Sequence, residues 1–424
     1  MKLIYLVIDG VADSISDPQT SLELAETPSL DRIASLSLCG LMYPIERGVA
    51  PESDAAVLSL LGYDPHRYYT GRGPLEALGA GMRIREGYEV AFRANFATVD
   101  EESLEIIDRR AGRSLTSSEA RRLAAALDGM KLSTYDGYVR VRATIGHRAV
   151  VIIGSKSHEL SDEVDNTDPA YAKVGKISVA RPSYEMKLLP CKPLSDRIEA
   201  KRTAELVNEF SRRAIRMLSN HPVNIERERR GLLKANAILL RDSGGRLPTV
   251  TPMRERFGLM FGAVVEMPVE MGIARLLGME VAEVPPPTGD KVVDYKLRLE
   301  AALRLLEKLD AVYVHLKGPD EPGHDGLLEE KAKAIEAIDN HFVKPLLKHV
   351  NLEDVGMIVT ADHATPPSAK AHTGDPVPVA VYAPGVEPDE VQRFTERECS
   401  KGALGVIEHG WELLPRVLDI MSST

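Results

Sequence analysis

Six residues of this chain have the types and the settings of ligands for divalent ions. Asp9 ends the apolar run "KLIYLVIDG". Asp320 and His324 lie in "KGPDEPGHDG", just after "AVYVHL". Asp362, His363 and His372 lie in "ADHATPPSAKAHTGDP", just after "VGMIVT". Three carboxylates and three imidazoles offer only oxygen and nitrogen donors, the set used for Mn²⁺, Zn²⁺ or Mg²⁺ in hydrolysis and group transfer. Asp320 and His324 are four apart, so a helical turn would place them on one side, whereas Pro322 and Gly323 favour a tight turn that brings both to one point. Asp362 and His363 are adjacent, and on an extended backbone their side chains diverge, which lets neighbours serve two different ions. One Asp–His pair alone is usually an ordinary polar surface feature, and an Asp before Gly is usually a turn. Six such residues at the carboxyl ends of apolar strands point to a two-metal centre. Two ions about 3.5–4 Å apart form a clamp for in-line displacement at phosphorus. His147, His158, His221, His341, His349 and His409 have no comparable surroundings.

The elements around these residues suggest how they meet. Short apolar strands (Ala311–Leu316, Val355–Thr360 and the N-terminal run) alternate with segments apolar at helical spacing, such as "LLEEKAKAIEAIDNHFVKPLLKHV". That alternation implies βαβ units and a mostly parallel sheet with helices on both faces, an α/β fold whose ligands bind beyond the strand carboxyl ends. The middle of the chain reads differently. "YEVAFRANFATVD", "YVRVRATI" and "HRAVVIIG" are short strand candidates around one helix, "SSEARRLAAALDG", with Ser117 or Ser118 as its cap and Gly129 near its end. The long helix "SDRIEAKRTAELVNEFSRRAIRMLSN" and the strand "ANAILLRDSGG" read as a return to the first grammar. The expected organisation is one discontinuous α/β domain, residues 1–65 and 185–424, interrupted by a smaller α+β domain at 66–184.

Composition narrows the function classes. The 424 residues are 44% hydrophobic and 27% charged, which suits a folded globular chain with a large core. No apolar run approaches the roughly 20 residues that span a bilayer, and the N-terminus reads as a strand rather than a signal peptide. Cys39, Cys191 and Cys399 are odd in number and far apart, so a reducing cytoplasm is expected. A net charge of −10 argues against nucleic acid or an anionic membrane as partner. Residues 66–149 depart from that average, with 14 Lys+Arg against 11 Asp+Glu, and 13 of the 14 are arginines. Arginine's planar fork suits phosphate and carboxylate oxygens, although a salt-bridged surface has the same composition.

"GVAPESDAAVLSLLGYDP" adds a serine, Ser53, that reads locally as a helix N-cap. Together with "VIDG", "YYTGRGPLEALGAG", "HPVN", "KGPDEPGHDG" and "TADHATPPSAKAHTGDPVP", it closely resembles the archaeal-type 2,3-bisphosphoglycerate-independent phosphoglycerate mutases of the alkaline phosphatase superfamily. The resemblance runs nearly end to end. It implies an alkaline-phosphatase-like, mostly parallel sheet sandwiched by helices and interrupted by the smaller α+β domain. It implies two divalent ions, Mn²⁺ or Zn²⁺ first and Mg²⁺ or Co²⁺ as alternatives, with no requirement for 2,3-bisphosphoglycerate. Asp9, Asp362 and His363, with Ser53, resemble the ligands of one ion; Asp320, His324 and His372 resemble those of the other.

By the same resemblance, Ser53 takes the phosphoryl group as phosphoserine. Asp108, Arg109 and Arg113 of "IIDRRAGR", with Arg241 and Lys317, are expected to contact substrate, and His147 of "IGHRAVV" to serve as a general acid or base. The implied reaction interconverts 3-phosphoglycerate and 2-phosphoglycerate in glycolysis and gluconeogenesis, with the small phosphoglycerate as the only partner and homo-oligomerisation left open. Serine is a weak nucleophile at neutral pH, hence the need for metal at its hydroxyl. The glycerate must be held away from water, or the phosphoserine would hydrolyse. A metal-dependent phosphatase or another phosphomutase of the superfamily, such as a phosphopentomutase, is the alternative.

Overall fold

The computed structural model describes residues 2–174, 177–181 and 183–422. The chain gathers into two compact units. The first comprises Met1–Tyr68, Val250–Glu266 and Ile273–Thr424; the second comprises Tyr69–Thr249 and Met267–Gly272.

The first unit is built on an eight-stranded sheet. Its strands, in spatial order, are Glu280–Val281, Phe261–Val264, Ala311–Leu316, Lys2–Ile8, Val355–Thr360, Val377–Tyr382, Leu38–Met42 and Gly405–Ile407. Every pairing is parallel except the two made by Val377–Tyr382. The three central strands are continuous apolar runs because parallel strands are buried on both faces; Leu3 to Ile8, Ala311 to Leu316 and Val355 to Thr360 are all buried. Their register does the positioning. Ile8 lies opposite Leu316 and Val7 opposite Thr360, so all three strands end at one level. Asp9, Lys317 to Asp320 and Ala361 to His363 therefore emerge together at one edge, the place where open α/β sheets bind ligands.

The second unit is an antiparallel sheet. Glu89–Val99 pairs with Ile106–Asp108, Arg148–Ser155 and Ala237–Gly244, and Arg148–Ser155 pairs also with Gly137–Ala143. Strands with helices at their side give the α+β character expected of the insert. This unit, however, continues far past residue 184. The helix Ile198–Ser219 buries Leu206, Val207, Phe210 and Leu218 in one core with Phe92, Phe96 and Ile153, and "ANAILLRDSGG" forms the strand that pairs with Glu89–Val99. Both elements have the local pattern of the first unit, and only long-range packing assigns them to the second.

Local chemistry also corrects several expected caps. Thr116, not Ser117 or Ser118, caps the helix Ser117–Leu127, in a reciprocal box with Glu119. Arg197 is the N-cap of Ile198–Ser219, and the Ser195 hydroxyl donates to Glu163. Glu52 is the N-cap of Ser53–Leu60, so Ser53 is the first residue inside that helix rather than its cap. Asp320–Asp325 closes as a short helix, not a tight turn, ended by Gly326 in the left-handed region. No described helix is long and apolar enough to cross a membrane.

Candidate metal centre and arginine cluster

The six expected ligands converge in two groups at the carboxyl edge of the large sheet. In the first, His363 Nε2 stands 3.3 Å from Asp9 Oδ1, 3.2 Å from Asp362 Oδ2 and 3.5 Å from Ser53 Oγ. In the second, His324 Nε2 and His372 Nε2 stand 3.4 Å and 3.5 Å from Asp320 Oδ1. The helical turn Asp320–Asp325 brings its Asp and His together at i and i+4. The His363 and His372 rings stack with centroids 3.7 Å apart, so the two groups adjoin.

These separations test the site for metal. Two ligand atoms about 2.1 Å from a shared tetrahedral ion lie about 3.4 Å from each other, which is the spacing found. Asp9 Oδ1 and Asp362 Oδ2 are buried and form no hydrogen bond, although imidazole nitrogens lie close by. The far nitrogens of the imidazoles are engaged. His324 Nδ1 meets Lys370 O at 3.2 Å, His372 Nδ1 meets Pro51 O at 2.8 Å, and His363 Nδ1 meets Thr365 Oγ1 at 3.0 Å. A ring nitrogen occupied in this way leaves the other lone pair for a cation. The residues fit divalent cations: Asp320, His363 and His372 bring ligand atoms within 4.8 Å of one another, as do Asp9, His315 and Asp362.

The electrostatics agree. Burial opposes charge on Asp320, yet a hydrogen bond from His372 and the nearby His363 and His324 hold its carboxyl well below the usual range. Burial opposes charge on Asp362 as well, and His363 and His315 outweigh it. Burial would lower His363, but Asp362 and Asp9 raise it to about 10. Carboxylates this firmly ionised hold a proton on His363, and a divalent cation at the same place would displace that proton to reach the ring nitrogen.

Three features of this region escape a reading of the sequence. His315 is fully buried in the strand Ala311–Leu316, with Nε2 3.2 Å from Asp362 Oδ2 and 4.0 Å from Asp9 Oδ1. A histidine inside an otherwise apolar strand, "AVYVHL", is the signal that could have found it. Thr365 bridges His363 and Asp320, and Lys331 lies buried behind it. Lys317 Nζ lies 3.1 Å from Asp9 Oδ2. A cleft beside the metal-ligand candidates is lined by Asp9, Asp320, Lys317, Lys291 and Arg298.

The second unit holds the arginine cluster. Arg109 grips Asp168 with two hydrogen bonds, Nε to Oδ1 at 3.0 Å and Nη2 to Oδ2 at 2.6 Å. Arg241 lies 3.7 Å from both Asp168 and Asp242 and stacks on Tyr171, its guanidinium carbon 4.0 Å from the ring centre. Arg93 faces Asp242 and Glu76, and Arg72 also holds Glu76. Burial, then Arg72 and Arg241, push the Arg93 guanidinium down to about 9. Burial, then Arg148, Arg110, Arg113 and Arg93, push His147 down to about 4. Positive charge is thus in local excess around His147. Arg93 Nε and Arg241 Nη1 are buried without a hydrogen bond, as expected where an anion would complete the set. The backbone is strained here too, with Asp242 at φ 57° beside a bulge against Glu89–Val99.

Of the expected substrate contacts, Arg109 and Arg241 lie in this cluster, and Arg113 acts on His147 through its charge. Asp108 Oδ1 accepts from the N–H groups of Arg110 and Gly112 and shapes the turn. Arg72, Arg93, Arg148 and Asp168 were not singled out, because arginines are plentiful in this stretch and only the packed sheet selects among them.

Residues 34–224 match the family described as 2,3-bisphosphoglycerate-independent phosphoglycerate mutase. A protein of that name from Aeropyrum pernix is 48% identical over the whole of both chains. One from Archaeoglobus fulgidus is 41% identical over 100% of this chain and 98% of its own. Among solved structures, the PH0037 protein of Pyrococcus horikoshii superposes with a TM-score of 0.77 at 28% identity, covering 100% of this chain and 98% of that one. The cofactor-independent phosphoglycerate mutase of Thermoplasma acidophilum superposes with a TM-score of 0.64 at 32% identity, covering 99% and 100%. With relatives this similar from end to end, the chain belongs to the 2,3-bisphosphoglycerate-independent phosphoglycerate mutase family.

Proposed function

We propose that this protein interconverts 3-phosphoglycerate and 2-phosphoglycerate, as a step of glycolysis and gluconeogenesis, by passing the phosphoryl group through Ser53. The observation that carries this reading is the position of Ser53 Oγ, 3.5 Å from the same His363 Nε2 that faces Asp9 and Asp362. Asp9, Asp362, His363 and Ser53 would hold one divalent ion, and Asp320, His324 and His372 the other, with Mn²⁺ or Zn²⁺ as first candidates. Bound there, the ions would neutralise phosphoryl charge and lower the pKa of the serine hydroxyl.

This chain's residues then have distinct tasks. The Ser53 oxygen forms a bond to phosphorus as the bond from phosphorus to the substrate's hydroxyl oxygen breaks, leaving glycerate. The second displacement is the reverse, with the other glycerate hydroxyl attacking phosphoserine. Lys317, beside Asp9, and the amide groups at the start of Ser53–Leu60 would hold phosphoryl oxygens. Arg109, Arg241 and Arg93 suit the substrate's carboxylate, and holding glycerate by that end keeps it from exchanging for water. His147, neutral at pH 7, can accept a proton from a glycerate hydroxyl.

The test is a coupled assay with 3-phosphoglycerate and enolase, run beside an assay of free phosphate. Product formation without phosphate release, and a phosphorylated Ser53 peptide after trapping with substrate, are expected. Phosphate release as the main outcome would make the protein a phosphatase instead.

A further inference from the structure

The loop after Val355–Thr360 contains a hydroxyl that joins the two groups of metal-ligand candidates. Thr365 is fully buried. Its Oγ1 donates to Asp320 Oδ1 at 2.8 Å, so its one proton is committed to a carboxylate that can only accept. The contact at 3.0 Å to His363 Nδ1 must then run the other way, with Nδ1–H donating to the hydroxyl oxygen. That polarity leaves His363 Nε2 as the ring atom facing Asp9, Asp362 and Ser53, the one that can give its lone pair to a cation once its proton is displaced.

The hydroxyl is itself held rigidly. Thr365 N–H donates to Ala12 O at 2.9 Å, and Lys331 Nζ donates to Thr365 O at 2.9 Å and to Ala12 O at 3.0 Å. Gly10, at φ +59°, packs so closely that a Cβ there would lie 2.8 Å from both Thr365 Oγ1 and Asp320 Oδ1. A Cβ on Gly323 would lie 2.4 Å from Thr365 O.

We propose that Thr365 is a positioning residue that couples the two metal sites, orienting His363 for one ion and Asp320 for the other through a single hydroxyl. This rests on the two-metal reading above. Partners that orient a ligand typically change metal affinity by about 10–100-fold. A threonine serving only to fill space would be replaced without such loss by valine, which has the same shape.

The experiment titrates metal-depleted wild-type, Thr365→Val and Thr365→Ser proteins with Mn²⁺, reading stoichiometry and affinity by calorimetry and kcat and KM in the coupled assay. Wild type is expected to bind two ions. Thr365→Val should bind both about tenfold or more weakly, with kcat reduced and KM for 3-phosphoglycerate little changed. Thr365→Ser should recover wild-type affinity at both sites to within about threefold. Should Thr365→Val bind both ions as wild type does, lose only one, or Thr365→Ser fail to recover, the coupling role is wrong. Should wild type itself bind fewer than two ions, the two-metal reading is what fails.

Discussion

Lys331 Nζ lies 2.6 Å from Asp13 Oδ1, and both residues are buried to within 1%. The ammonium uses its three protons on Asp13, Ala12 O and Thr365 O. Burial lowers its pKa below the usual lysine value against the pull of Asp13 and Glu396. A helix, Leu328–Ile338, is thereby tied to the loops that follow Lys2–Ile8 and Val355–Thr360. Removing one member of such a pair leaves the other charge buried alone, which costs about 3–5 kcal/mol. Lys331→Met should lose stability on that scale in denaturant unfolding. A loss below about 1 kcal/mol would mean Asp13 finds another partner or is neutral.

Ser53→Ala removes the proposed phosphoryl acceptor and one of four ligands at one site, leaving Asp9, Asp362 and His363 in place. Mutase activity should fall to background while bound metal, measured by elemental analysis, stays near wild type. Appreciable turnover in this variant would rule out a phosphoserine route.

His372→Ala deletes one of three expected ligands around Asp320. The variant should retain one ion, and activity should fall by more than the about 10–100-fold typical of a residue that merely orients a ligand. Two tightly retained ions would show that His372 is not a ligand.

Arg241→Lys keeps the charge but loses the planar fork and the stack on Tyr171. Loss of a charge-assisted hydrogen bond of about 1.5–3 kcal/mol corresponds to a rise of about ten- to a hundredfold in KM for 3-phosphoglycerate. Metal content should not change. An unaltered KM would remove Arg241 from the substrate site.

His147 offers a test by pH. Burial and the surrounding arginines lower it to about 4 in the folded protein, against about 6.5 unfolded. Between those values the unfolded chain binds the extra proton, so this residue's contribution to stability is present above pH 6.5 and lost as pH falls toward 4. Its ring protons should titrate in NMR with a midpoint near 4, and His147→Gln should flatten the acid limb of the stability curve. A midpoint near 6.5 would mean the arginines do not face the ring.

Much of the site is legible in the chain because each ligand candidate follows an apolar strand. Asp9, Asp320 and Asp362 stand where an apolar run meets a polar loop, and sheet register turns those sequence positions into one edge. Asp108, which the family resemblance puts among the substrate contacts, also shapes its own turn, with Oδ1 accepting from two local backbone amides. The cap at Thr116 and the place of Ser53 inside its helix turn on a difference of one residue, which neighbouring side chains decide.

By itself the sequence determined the α/β grammar, the ligand types, the serine and the family. Those are local or cumulative properties, written in apolar runs and short motifs. Tertiary structure alone decided that the strand Ala237–Gly244 joins Glu89–Val99 in the second unit, because its apolar pattern suits either sheet. It alone selected Arg72, Arg93 and Asp168 from a crowd of similar residues. It alone set His315, Thr365 and Lys331 behind the metal-ligand candidates, since burial and hydrogen-bond partners come from segments up to hundreds of residues away.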